Sequence, residues 1–177
     1  MLRLFAALPV PEDVADALIP TQKNLTGASW RPVRNFHVTL RFFGEIENGL
    51  AMALDEEIAN VSPPPIQIAI DGVGWFGRRE PRSVWARVRA TGGLTELAGA
   101  CERAARRVGL PPKKRRFTPH ITLAYCHGTP LSDAMAWTER HQDLAAGPWM
   151  ADCFHMYSSH LGRGPSVYTA EADYPLR

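Results

Sequence analysis

Two segments of the chain alternate apolar and other residues and share a sequence word. Residues 36–44 read FHVTLRFFG, and residues 119–126 read PHITLAYC. The apolar members of the alternation are Val38, Leu40 and Phe42 in the first segment and Ile121 and Leu123 in the second. A period of two is typical of a β-strand with one face on a core. We therefore predict two strands whose apolar side chains point inward.

The remaining pattern predicts further strands and helices. Alternating or apolar runs predict strands at 2–8, 66–70, 83–89, 150–158 and 166–172. Helical spacing and end signals predict helices at 11–25, 48–60, 93–108 and 132–141. Residues 30–35 are expected to form a loop or short strand, 109–117 a loop, and the glycines at 72, 74 and 77 an irregular turn.

The order of these elements predicts the fold class. Strands and helices mix without regular alternation, which favours an α+β fold. A strand, a histidine-containing strand and a helix recur in both halves of the chain. We therefore predict a single domain over residues 1–177, made of two similar lobes that face each other across a cleft, with one His-x-Thr-Leu word in each lobe.

Composition narrows the class of protein. The 177 residues are 45% hydrophobic and 21% charged, as in globular proteins of one ordinary domain. The net charge of +2 gives no broad attraction to nucleic acid, so any RNA contact must be local. No apolar stretch approaches the length of a membrane span, and we expect no membrane partner.

The cysteines and the N-terminal residues predict a cytoplasmic location. Cys101, Cys126 and Cys153 are odd in number and lack CxxC spacing, which is typical of reduced thiols. The short apolar run at the N-terminus is interrupted by prolines and followed by Glu12 and Asp13, so a first strand is favoured over a signal peptide.

The repeated word places chemistry on the predicted strands. Random arrangement of the same residues would give roughly 0.03 His-apolar-Thr-Leu words, whereas two occur. Residues i and i+2 of a strand share a face, so His37 lies beside Thr39 and His120 beside Thr122. A single strand histidine is more often structural, and His127-Gly128-Thr129 shows how easily the shorter word arises. Two full copies in matching context favour a functional site over a structural role.

Paired imidazoles and hydroxyls suit cleavage of a phosphoester without a metal. Histidine can accept or donate a proton near neutral pH, so two imidazoles can serve as base and acid. The hydroxyls of Thr39 and Thr122 can donate hydrogen bonds to the non-bridging oxygens of a phosphate. The sequence contains no HxH or HExxH metal motif and no GxSxG elbow, so we predict no metal, no cofactor and no serine nucleophile.

The paired words resemble those of the two-histidine phosphoesterase superfamily, in particular its RNA 2′,3′-cyclic phosphodiesterases, historically called 2′-5′ RNA ligases. The resemblance covers nearly the whole chain. Its segments are Arg3 to Phe5, NFHVTLRFFGE, GVGWF, PRSVWARV, RRFTPHITLA and YSSHLGRGPSVY. It implies two pseudo-symmetric lobes with antiparallel sheets facing a central cleft and helices on the outside.

The resemblance also implies a reaction and roles. The substrate would be RNA with a 2′,3′-cyclic phosphate end, or a cyclic nucleotide, and the products a 2′-phosphate and a 3′-hydroxyl. His37 would protonate the leaving O3′, His120 would activate water, and weak reverse 2′-5′ ligation would accompany hydrolysis. We expect a monomer. The alternative is a non-catalytic module that binds RNA ends or nucleotides.

One position departs from the family pattern. Similar proteins often carry arginine two residues after the second leucine, where it stacks on the terminal base; this chain has Tyr125. Tyrosine offers a stacking face but no charge. Since Tyr125 lies three residues beyond Thr122, simple alternation places it on the opposite face, and only a twist or bulge would bring it to the cleft.

Four other residues are candidates for RNA contacts. Arg115 and Arg116 end the basic run 113–116 before the second word, which either guides RNA phosphates or is a solvated loop. Arg3 and Phe5 share a face of the first strand and are expected to line the site, with core packing as the alternative for Phe5.

Overall fold

Two antiparallel sheets form the fold of the computed structural model, which describes residues 1–160, 162 and 164–177. The first sheet has the order β3-β1-β8-β9, comprising β1 (Leu2–Pro9), β3 (His37–Ile46), β8 (Cys153–His160) and β9 (Val167–Pro175). The second has the order β2-β6-β5-β4-β7, comprising β2 (Ala28–Trp30), β4 (Ile66–Phe76), β5 (Ser83–Val88), β6 (His120–Cys126) and β7 (Ala145–Ala151). Leu161 and Arg163, in the C-terminal segment of the resemblance, lie outside the described residues.

Over the described residues, four α-helices accompany the sheets: α1 (Glu12–Leu18), α2 (Asn48–Ala59), α3 (Gly92–Arg107) and α4 (Leu131–His141). The Thr91 hydroxyl caps α3 by accepting a hydrogen bond of 3.2 Å from the Leu94 amide. The apolar side of α3 is buried from Leu94 to Ala105. This helix packs against both β3 and β4, so it joins the backs of the two sheets. Among the described residues, no helix is long and apolar enough to cross a membrane.

The architecture confirms the predicted α+β fold of two related halves. The unit β1-α1-β3-α2, with the short strand β2 inserted before β3, recurs as β5-α3-β6-α4. In each unit the first strand pairs antiparallel with the histidine-containing strand. Each sheet therefore holds one copy of the repeated word, as the two-lobed arrangement requires.

Three predicted boundaries were wrong. The helix predicted at 11–25 ends at Leu18 and continues only as a 3₁₀ turn over Ile19–Thr21, because Pro20 has no amide hydrogen. The single strand predicted at 150–158 is two strands in different sheets, separated at Asp152. The last strand, predicted to end at 172, continues to Pro175.

Two of the three glycines predicted to form a turn, Gly72 and Gly74, lie within β4 instead, whereas Gly77 follows the strand in its connection to β5. The strand has a register shift between Ile70 and Val73, where Gly72 adopts a φ of +100°. At Gly74 a β-carbon would stand 2.4 Å from the Trp85 ring, so glycine allows the indole to lie directly on the strand. These glycines bend a continuous strand and admit a large ring beside His120.

The indole of Trp137 anchors α4 to the segment after α1. Its side chain is fully buried, and its Nε1–H donates a hydrogen bond of 3.0 Å to the Thr21 carbonyl. We expect Trp137→Ala to lower the free energy of unfolding by about 3–5 kcal/mol, because it leaves a large cavity and an unpaired buried carbonyl. Urea unfolding measures this. The control on the same helix is Met135→Ala at an exposed position, which should change the free energy of unfolding by no more than about 0.5 kcal/mol. Equal effects of the two substitutions would contradict the role of Trp137 as the anchor of α4.

Candidate active site

A β-bulge at the leucine of each word sets the faces of the two histidine strands. In β3, Ala6 pairs with Arg41 and Ala7 with Thr39, which leaves Leu40 as the extra residue. In β6, Val84 pairs with Ala124 and Trp85 with Thr122, which leaves Leu123 as the extra residue. Because a bulge shifts the alternation by one residue, the fifth residue after each histidine joins the histidine and threonine on the cleft face.

Those fifth residues are Phe42 and Tyr125, and each is 43% exposed. Simple alternation predicted Phe42 to point inward, which was wrong, and placed Tyr125 away from the cleft unless a bulge intervened. The two rings occupy equivalent positions in the two halves. Each has a guanidinium 5.0 Å from its centroid, Arg3 over Phe42 and Arg31 over Tyr125.

The same backbone contact orients both imidazoles. His37 Nδ1 lies 2.8 Å from the Asn35 carbonyl oxygen, and His120 Nδ1 lies 2.6 Å from that of Thr118. Since a carbonyl can only accept, Nδ1 carries the hydrogen in each ring. Nε2 is thereby left as the nitrogen that can exchange a proton with a ligand.

Aromatic rings surround both histidines. Phe5 and Tyr168 lie 4.9 and 5.2 Å from the His37 ring, and Phe76 and Trp85 lie 4.9 and 5.7 Å from the His120 ring. This apolar enclosure disfavours the charged imidazolium.

Burial is accordingly the largest influence on both imidazoles. It lowers the pKa of His37 to about 4. The hydrogen bond to the Asn35 carbonyl acts to raise this pKa, and the nearby His120 and Arg31 act to lower it. Burial also lowers the pKa of His120, against the effect of the bond to Thr118. Both rings are therefore neutral in the free protein at pH 7.

Two cavities meet between the sheets. The His37 cavity, of about 360 Å³, is lined by His37, Thr39, Phe42, Tyr125 and Tyr168 among others. The His120 cavity, of about 860 Å³, is lined by His120, Thr39, Phe42, Phe76 and the loop 111–118 among others. Thr39 and Phe42 line both, so the two cavities are adjacent at these side chains.

The structure brings most of the predicted site residues to these cavities. Arg3, Phe5 and Tyr125 line the His37 cavity, and Phe5 is also buried in van der Waals contact with the His37 ring. Arg115 and Arg116 line the His120 cavity. Thr122 is partly buried on the His120 face of β6, but it is not among the residues that line either cavity.

Sequence reasoning missed Arg31. It is only 7% exposed, its Nη2 has no hydrogen-bond partner, and none of the ion pairs among the described residues includes it. It places a positive charge beside Tyr125. At that position similar proteins often carry arginine, so the sequence predicted that the positive charge was lost there. Nothing in the sequence marked Arg31, whereas Phe42 could have been found by comparing the two words two positions further.

Metal ligands do not cluster in the described part of the chain. Over residues 1–160, 162 and 164–177, no group of three or more His, Cys, Asp or Glu side chains is arranged to hold a metal ion.

Facing sheets that each present a histidine and a threonine from a repeated word define the class of two-histidine phosphoesterases. Within that class, the chain belongs to the 2′-5′ RNA ligase superfamily, whose family model matches residues 11–163. The resemblance drawn from the paired words is thus confirmed.

Similar proteins and a similar crystal structure support this family assignment. An RNA 2′,3′-cyclic phosphodiesterase of Aeropyrum pernix is 32% identical over 148 residues, 81% of this chain and 84% of that protein. One of Thermus thermophilus is 34% identical over 99% of this chain and 91% of that protein. The crystal structure of Escherichia coli LigT complexed with 3′-AMP superposes with a TM-score of 0.79 at 25% identity, covering 99% of this chain and 98% of that one.

Proposed function

We propose that this protein hydrolyses the 2′,3′-cyclic phosphate at the end of an RNA chain. Water attacks the phosphorus and gives a proton to His120 Nε2, while the P–O3′ bond breaks and O3′ takes a proton from His37 Nε2. The products are a 2′-phosphate and a 3′-hydroxyl. In this scheme Thr39 and Thr122 donate hydrogen bonds to the non-bridging oxygens, where negative charge increases in the transition state.

One observation carries the proposal: two imidazoles with the same fixed tautomer line adjacent cavities that share Thr39. Acid–base catalysis needs both nitrogens free towards the ligand, and binding alone would need neither. The names of the similar proteins support the same substrate class.

The cleft residues that the sequence singled out belong to the substrate side of this proposal. Tyr125 would stack on the terminal base, with Phe5 and Arg3 beside the nucleotide. Arg115 and Arg116 would attract RNA phosphates. We further propose that the chain acts as one bilobal domain over residues 1–177 and as a monomer, and that it works in the cytoplasm, where its three free thiols stay reduced.

The number of product molecules formed per protein molecule distinguishes hydrolysis from the alternative, a binding module without turnover. An oligonucleotide with a 2′,3′-cyclic phosphate is mixed in tenfold excess over protein, and ring-opened product is counted per protein molecule. We expect several product molecules for each protein. Tight binding with no product would establish the alternative and reject hydrolysis.

The lowered histidine pKa values predict an acidic optimum. The reactive form has one imidazole protonated and the other neutral, and kcat/KM follows that form in the free enzyme. The pKa of His37 is near 4 and that of His120 is below 6.5, so both midpoints of the bell-shaped pH profile of kcat/KM lie below pH 6.5. We expect kcat/KM to fall about tenfold per pH unit above that value. Initial rates on a cyclic nucleotide from pH 3.5 to 9 measure it; a maximum near pH 8 would contradict it.

A further inference from the structure

A buried positive charge without a counter-charge lies behind the wall of the His37 cavity. The side chain of Arg31 is 7% exposed. Within the part of the chain that the structure describes, its Nη2 donates to no acceptor and no ion pair includes it. Burial of an unpaired charge is unfavourable, because the protein does not replace the stabilisation that water gives to the ion. A residue that is unfavourable for the free protein at this place indicates a role in binding.

The backbone around Arg31 fixes the position of its guanidinium. The Arg31 amide donates a hydrogen bond of 2.8 Å to the carbonyl of Leu123, the bulge residue of β6. The Arg31 carbonyl accepts one of 2.8 Å from Gln22 Nε2. The guanidinium carbon lies 5.0 Å from the centroid of the Tyr125 ring, which lines the cavity. The charge is therefore held in place before any ligand binds, which lowers the entropic cost of binding.

The charge of Arg31 acts on two residues that line the cavity, His37 and Tyr168. Burial is the largest influence on the pKa of His37, and Arg31 lowers that pKa further. Burial is also the main reason that the pKa of Tyr168 is raised, and Arg31 acts to lower it. A positive charge disfavours an imidazolium and favours a phenolate. Both effects therefore have the sign of one positive charge close to the cavity.

The wall of the His37 cavity suits an anion. None of the described residues that line it is acidic, and Arg3 adds a second positive charge. The hydroxyl groups of Thr39, Ser166 and Tyr168 are available as hydrogen-bond donors. Positive charge in a cleft of low dielectric attracts anionic ligands more strongly than the same charge in water.

We propose that Arg31 is a phosphate-attracting residue of the His37 cavity, which increases the affinity for the terminal nucleotide while Tyr125 stacks on the base. This inference rests on the proposed hydrolysis, which supplies the class of ligand: a nucleoside with a phosphate at its 2′ position. The guanidinium acts through space from behind the tyrosine rings, so it needs no contact with the ligand. It makes the cavity selective for a nucleotide over an uncharged nucleoside.

Binding of two probes to Arg31→Met tests this role. Adenosine and adenosine 2′-monophosphate share the base and the ribose and differ in the phosphate. Methionine keeps much of the apolar bulk of arginine and removes its charge. By isothermal titration calorimetry we expect about tenfold weaker binding of the monophosphate and a change of less than about twofold for adenosine. Arg34→Met, at an exposed position three residues away, is the matched control and should leave both affinities unchanged.

Stability and a relocated charge separate this role from a structural one. Because Arg31 has no counter-charge among the residues described, Arg31→Met should lower the melting temperature by no more than about 3 °C. A second variant adds Tyr125→Arg to Arg31→Met and so returns a guanidinium to the exposed side of the same wall. It should bind the monophosphate within about threefold of the unaltered protein, since arginine supplies both a charge and a planar face.

Three results would overturn the role of Arg31. One is unchanged affinity for the monophosphate in a folded Arg31→Met protein. Another is an equal loss for adenosine and its monophosphate, which would make Arg31 a support for the Tyr125 ring. The third is no recovery in the double variant. Charge-dependent binding without hydrolysis by the unaltered protein is a different outcome, because it rejects the proposed reaction and leaves the phosphate-attracting role of Arg31 standing.

Discussion

Replacing His37 with alanine should lower kcat on a cyclic-ended oligonucleotide by about 10²–10⁴, and His120→Ala should do the same. In the proposed reaction, each change removes one of the two groups that move protons at opposite ends of the breaking and forming bonds. If the two imidazoles act as the proposed acid and base of one step, the double variant should lose little more than the worse single variant. Single-turnover rates measure the chemical step directly.

A histidine outside the cleft provides the matched control. His127 lies in the short word His127-Gly128-Thr129 and is exposed, away from both cavities. His127→Ala should leave kcat within about twofold, since it removes an exposed imidazole that lines neither cavity. A His37→Ala or His120→Ala protein that is folded and retains full activity would remove the basis for acid–base catalysis here.

Removing the threonine hydroxyls should have the second largest effect. Thr39→Val and Thr122→Val keep a β-branched side chain in the strand but lose the donor, and each should lower kcat by about 10²–10³. Since these hydrogen bonds strengthen with the charge of the transition state, kcat should fall more than KM rises.

The comparison of the two threonines is also informative. Thr39 lines both cavities, whereas Thr122 lines neither in the free protein, so an effect at Thr122 requires that the substrate reach it. Thr39→Ser should recover part of the rate because the hydroxyl returns. Thr169→Val, at an exposed position of β9, is the control. Rates within threefold of the unaltered protein in both valine variants would show that other donors bind the phosphate.

The strands and the paired side chains were predictable because each depends on local alternation. A period of two places His37 beside Thr39 and His120 beside Thr122 over only three residues, which no distant contact alters. The bulges were not predictable in the same way. They arise from pairing with β1 and β5, strands far away in the sequence, and they decide that Phe42 and Tyr125 reach the cleft.

The remaining differences also come from contacts between distant segments. Residues 145–160 form two strands because β7 pairs with β4 and β8 pairs with β1, in different sheets. Arg31 is held beside Tyr125 because its amide donates to the Leu123 carbonyl and its carbonyl accepts from Gln22. No pattern within residues 28–36 indicates that a buried guanidinium would result.

Hydrolysis of a cyclic-ended oligonucleotide in H₂¹⁸O is the most direct measurement of the central claim. If His120 activates water and His37 protonates O3′, each turnover leaves a 2′-phosphate with one ¹⁸O and a free 3′-hydroxyl, as mass spectrometry and ³¹P NMR will show. A 3′-phosphate with a free 2′-hydroxyl would place the histidines at the other ester bond. Bound but unopened substrate would contradict catalysis altogether.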